Sequence, residues 1–72
     1  MTYQQAARNL NKKVRLWNKV RRFGGEFILS AVITRKNEQG AYLQAELTDP
    51  CKHSVMIEPL VYLEEIEDEN IV

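Results

Sequence analysis

Apolar and polar side chains alternate most clearly in the middle of the chain. Phe27, Leu29, Ala31 and Ile33 interleave with Ile28, Ser30, Val32 and Thr34. The period of two and the β-branched and aromatic content predict a strand from Glu26. Both of its faces are fairly apolar, as suits a central strand. Arg35-Lys36-Asn37-Glu38-Gln39-Gly40 is polar and ends in glycine, which predicts a hairpin turn. Ala41, Leu43, Ala45 and Leu47 then alternate with Tyr42, Gln44, Glu46 and Thr48, the pattern of a strand with one face inward. Asp49-Pro50 breaks it, because proline cannot donate to a ladder. Ser54 to Ile57 predicts a short strand with Val55 and Ile57 inward, ended by Glu58-Pro59. Leu60-Val61-Tyr62 fits one tight helical turn, and Leu63 to Ile66 a last short strand.

The N-terminal part is less uniform. Thr2 with Gln5 three residues later forms a capping-box pattern, and Tyr3, Ala6, Ala7 and Leu10 fall on one helical face. A short helix is predicted from about Tyr3 to about Asn11, with Tyr3, Ala7 and Leu10 facing the core. Two readings of the next stretch stay open. A continued helix puts Val14, Trp17 and Val20 on one stripe and stops at Gly24-Gly25. A strand puts Val14 and Leu16 on one face, and Arg15 and Trp17 on the other. Asn9, Asn11 and Asn18 disfavour a long helix, since asparagine competes for local backbone bonds. The favoured order is helix, strand, long loop, two-stranded hairpin, strand, single turn, strand. Five short strands of this kind can curl into a small barrel. The expected fold is therefore mainly β, with the helix in residues 1–12, the barrel in 13–66 and an acidic tail in 67–72. The alternative is α+β, one long N-terminal helix on a three-stranded antiparallel meander.

This layout resembles an SH3-like barrel. The local likeness is Glu58-Pro59-Leu60-Val61-Tyr62-Leu63-Glu64-Glu65-Ile66, similar to the turn and last strand of SH3 domains. The resemblance implies a first strand over Lys13 to Trp17. Of the family's ligand-contacting positions, Pro59 and Tyr62 are present. The family's Ala-Leu-Tyr-Asp-Tyr-like segment is replaced by Lys13-Val14-Arg15-Leu16-Trp17-Asn18, and its acidic long loop by the basic run Asn18 to Gly25. The phrase Gln44-Ala45-Glu46-Leu47-Thr48-Asp49, followed by Ser54-Val55 and Leu63-Glu64-Glu65-Ile66, is also similar to small proteins carried on bacterial mobile elements.

Composition adds limits. Seventy-two residues make one domain. A single cysteine, Cys51, forbids an internal disulfide, which predicts a reduced, cytoplasmic setting. The start of the chain is polar and lacks the apolar core of a signal peptide. The longest apolar stretch, Phe27 to Ile33, is far short of the ~20 residues a membrane-spanning helix needs. Net charge is zero, but the charges are segregated. Residues 1–25 carry seven Lys or Arg and no Asp or Glu, whereas residues 26–72 carry three basic against ten acidic residues, so the two parts stand at +7 and −7.

Candidate chemistry is sparse. Cys51 and His53 are the only thiol and imidazole, and in an extended segment side chains two residues apart diverge. Asp49, Cys51 and His53 offer three metal ligands where structural zinc takes four. None of the acidic residues sits in an obviously buried position, and no glycine-rich phosphate loop is present. No catalytic residue, metal or cofactor is predicted, and the chain reads as a non-enzymatic binding module. The first reading is contact with nucleic acid or a nucleoprotein complex through Lys12, Lys13, Arg15, Trp17, Lys19, Arg21, Arg22 and Phe23, cations for phosphates and aromatics for bases. The rival is protein interaction or self-association between opposite faces, with Pro59, Tyr62, Glu64, Glu65 and Glu67 as candidates.

Overall fold

The computed structural model describes residues 1–51 and 53–66. The acidic tail predicted for 67–72, Glu67 included, lies outside the described residues. Helix α1 (Tyr3–Arg8) is followed by β1 (Lys13–Asn18), β2 (Phe23–Asn37), β3 (Gly40–Thr48), β4 (Val55–Pro59), a 3-10 turn (Leu60–Tyr62) and β5 (Leu63–Glu65). All strand pairs are antiparallel, and the order across the sheet is β4-β3-β2-β1-β5. The mainly-β class, the five strands and the short helix are as expected. The sheet is open, with β4 and β5 at its two ends, joined through the 3-10 turn. Residues 13–18 are strand, which removes the long-helix alternative.

The capping box forms. Thr2 N donates to Gln5 Oε1 at 2.8 Å, and Gln5 N donates to Thr2 Oγ1 at 3.1 Å. The helix is shorter than the predicted span because asparagines end it. Asn9 Nδ2 donates to the Gln5 carbonyl oxygen at 2.7 Å, and Asn11 adopts a left-handed φ of 64°. Asn11 N then donates to Leu29 O at 2.7 Å, which pulls the chain onto β2. Ala6 is the helix's buried residue, whereas Tyr3, Ala7 and Leu10 are exposed. The expected inward stripe is thus corrected: the small Ala6 side chain lets the helix backbone settle on β2, and the larger side chains stay outside.

The core is built from alternate residues of the sheet: Val14 and Leu16 of β1, Phe27 and Leu29 of β2, Ala45 and Leu47 of β3, and Leu63 of β5. Ala6 and Leu60 close it. Loss of a fully buried leucine such as Leu16 to alanine costs about 2–5 kcal/mol. β2 is long because it serves two neighbours in turn. Phe23 to Ile28 pairs with β1, and Ile28 to Asn37 pairs with β3. Between Leu29 and Ala31 the register shifts, a bulge at Ser30, whose hydroxyl hydrogen-bonds Thr48 Oγ1. Beyond the reach of β4 the β2–β3 hairpin continues as a two-stranded ribbon, turning at Glu38-Gln39. It contributes to the elongated 46 × 26 × 21 Å shape.

Three expectations fail for one reason. Asn18 to Gly25 is not a long loop, because residues 19–22 make a tight turn and β2 already begins at Phe23. Asn18 Oδ1 accepts the Val20 and Arg21 amides, both at 3.1 Å, and Arg22 takes a left-handed φ of 54° to close the turn. The other end of the same side chain, Asn18 Nδ2, donates to Glu58 Oε1 at 2.9 Å in the interior. Glu58 is 4% exposed, against the expectation that no acidic residue is buried. With Glu58 inward, strand alternation sends Val55 and Ile57 outward, reversing the predicted orientation of β4.

This pair yields a measurable coupling. Asn18→Ala is expected to lower stability by about 2–3 kcal/mol, through a lost turn cap and an orphaned Glu58. Glu58→Gln keeps an acceptor for Asn18 and should cost less than Glu58→Ala. A double-mutant cycle from thermal or urea melts should give a coupling of about 1–2 kcal/mol between positions 18 and 58. Additive effects would contradict the structural role given to the bond.

Candidate interaction site

The basic segment is distributed over three environments. On the outer face of β1, cross-strand pairing sets Arg15 beside Glu26 of β2 and Glu64 of β5. Its guanidinium lies 3.9 Å from each carboxylate, and Lys13 Nζ lies 3.9 Å from Glu26. On the helix, Arg8 grips Glu65 through Nε and Nη2 at 3.0 and 2.6 Å. The segregation of charge along the chain is therefore partly folded back on itself. Exposed pairs of this kind contribute about 0.2–1 kcal/mol each. Among the described residues Lys12, Lys19, Arg21 and Arg22 have no ion pair. Three of these four cluster on the β1–β2 turn, with Val20 exposed between them.

The two aromatics of the segment part company. Trp17 pairs with Gly24 on the outer face, whereas Phe23 pairs with Asn18 on the inner face and leans on Phe27 with ring centroids 6.2 Å apart. Trp17 and Phe23 cannot share one stacking surface. Gly24 is there because the indole lies over it. A methyl group at residue 24 would stand 2.7 Å from Trp17 Cε3 and 2.5 Å from the Leu16 carbonyl oxygen.

At Trp17 the sheet opens. Leu16 pairs with Leu63, but one step further the partner strand has become the 3-10 turn. The gap is a groove of about 400 Å³ lined by Trp17, Lys19, Val61, Tyr62, Leu63 and Glu64. Trp17 is 55% exposed and Val61 77%. On the other side of Val61 lies a second groove of about 490 Å³, more apolar, between the helix N-terminus and β3. Tyr3, Tyr42, Leu43, Pro59 and Leu60 are among its walls. The site thus joins Trp17 and Lys19 of the basic prediction to Pro59, Tyr62 and Glu64 of the rival prediction. Glu65 is engaged by Arg8 outside it. Tyr3, Tyr42 and Val61 were missed as candidates. Their signal was weak, because isolated apolar residues in a small chain read as core.

The Cys51 loop offers little. Cys51 and His53 are both exposed, Cys51 N donates to Asp49 Oδ1 at 2.8 Å, and His53 takes a left-handed φ of 57°. Among the described residues no three His, Cys, Asp or Glu side chains are grouped to hold a metal, and no helix is long and apolar enough to cross a membrane.

Comparison of the chain with protein-family models, curated proteins and solved structures finds no match.

The Trp17–Gly24 contact predicts its own signature. Gly24→Ala should destabilise by about 1–3 kcal/mol, the usual cost of overpacking, and shift the emission of the sole tryptophan. Trp17→Ala should cost less than Leu16→Ala in a melt, since most of the indole already faces solvent. An unchanged spectrum in folded Gly24→Ala would contradict the contact.

Proposed function

We propose that this protein is a non-enzymatic interaction module that holds an extended segment of a protein partner across the two grooves meeting at Val61. The observation that carries the reading is the concentration of exposed Trp17, Val61, Tyr3 and Tyr42 around two adjoining grooves. Interface anchors are typically aromatic, and a groove walled by them takes alternate side chains of an extended chain. The likeness of Pro59-Leu60-Val61-Tyr62 to the turn of SH3 domains supports the same surface. Lys19, Arg21 and Arg22 at one end favour a ligand whose apolar residues are followed by an acidic one.

Contact with nucleic acid is the second reading, and one observation favours it. The turn brings Lys19, Arg21 and Arg22 beside an exposed indole, which suits a phosphate backbone and one stacked base. It ranks second because Arg8, Lys13 and Arg15 are already engaged by carboxylates, and Phe23 faces the other way.

Both readings are tested on one signal, the fluorescence anisotropy of dye-labelled ligands. An array of decapeptides combining apolar and acidic residues is expected to contain micromolar ligands. Trp17→Ala and Val61→Asp should weaken them by roughly tenfold or more, a loss of ~1.4 kcal/mol or greater as for an aromatic anchor, without lowering the melting temperature. Binding that survives both substitutions sinks the groove as the site. Binding to single-stranded oligonucleotides that fades with salt, with no peptide bound, transfers the function to the second reading.

A further inference from the structure

We infer that β4 is a self-pairing edge, through which two copies of this chain join their sheets antiparallel about a two-fold axis. β4 ends the strand order, and among the described residues it pairs only with Gln44–Thr48 of β3, so there its second edge has no strand partner. Protein edges are commonly guarded by lysines, inward charges or bulges. β5, at the opposite end, is three residues long and carries Glu64 and Glu65. β4 carries one such guard, the inward Glu58, with Pro59 at its end, and neither puts a charge on its outward side. Its one charged residue, Glu58, is turned inside and held by Asn18, and its outward side chains are Val55 and Ile57, 57% and 41% exposed.

The occupant follows from charge and symmetry. A two-fold contact sets a patch against itself, so any exposed charge on β4 would meet its own like. The outward side of β4 bears none, and the chain's net charge is zero, which removes long-range repulsion between copies. Antiparallel pairing about Met56 places Val55 of one copy opposite Ile57 of the other. Four β-branched side chains then run together across the axis, a favoured cross-strand combination. Pro59, which lacks an amide proton, limits the pairing at one end. This surface centres on Met56, meets the second groove only at Pro59, and stands whether or not the grooves bind a peptide.

Sedimentation velocity of the full chain from micromolar to millimolar concentration tests the inference. The expected result is a reversible monomer–dimer equilibrium that Ile57→Lys weakens by about tenfold or more, since a lysine then replaces the apolar side chain opposite Val55 and two like charges share one face of the seam. Hydrogen exchange of the β4 amides in the unmodified protein should slow as concentration rises, a readout that needs no variant. A monomer at every concentration, a dimer indifferent to Ile57→Lys, or β4 exchange independent of concentration would each overturn it.

Discussion

Asn18 and Glu58 are forty residues apart in the chain and 2.9 Å apart in the interior. A buried carboxyl is costly unless its hydrogen-bonding capacity is met, and the Asn18 amide meets it here. The same asparagine caps the β1–β2 turn with its carbonyl oxygen. One side chain therefore fixes two things at once: where β1 reverses into β2, and which face β4 turns to the core. The groove beside Trp17 and the outward row on β4 both follow from that choice.

Part of the charge in this fold is spent within the molecule. A chain split into a basic and an acidic part invites the idea of a charged surface waiting for an opposite partner. Instead, Glu64, Arg15 and Glu26 stand side by side on three neighbouring strands, and Arg8 reaches Glu65 from the helix. These pairs are individually weak, but together they bias the shortest strand, β5, toward its place at the edge. The cations left on the β1–β2 turn are few and clustered, which makes them a local determinant of orientation rather than a broad attractive face.

How much of this was legible in the sequence depends on how local the cause is. The capping box, the Val14/Leu16 alternation, the hairpin and the tight turn before β5 each rest on neighbouring residues, and each appears as read. The parity of β4 depends on Asn18, a residue that no pattern around Val55 or Ile57 reveals. By composition Val55 and Ile57 were the better core candidates, yet one satisfied polar contact outweighed them. The length of β2 was hidden similarly, since Phe23-Gly24-Gly25 reads as a loop until Trp17 is seen to need a neighbour without a side chain. The candidate site was half legible: Trp17, Lys19, Pro59 and Tyr62 stood out as residue types, but their convergence at Val61 is a product of topology.

That topology also imposes an order on how the protein is made. β2, β3 and β4 follow one another as hairpins and can pair as soon as they leave the ribosome. β1 joins β2 early through the tight turn at residues 19–22 but is completed last, because Leu16 needs Leu63 as well as Gly25 beside it. Until β5 is synthesised, one edge of β1 stays bare and the core lacks Leu63 on that side. Pairings between distant segments slow folding and prolong exposure of apolar surface. The interval between emergence of β1 and arrival of β5 is when a nascent chain of this protein is most exposed to aggregation and most open to a chaperone.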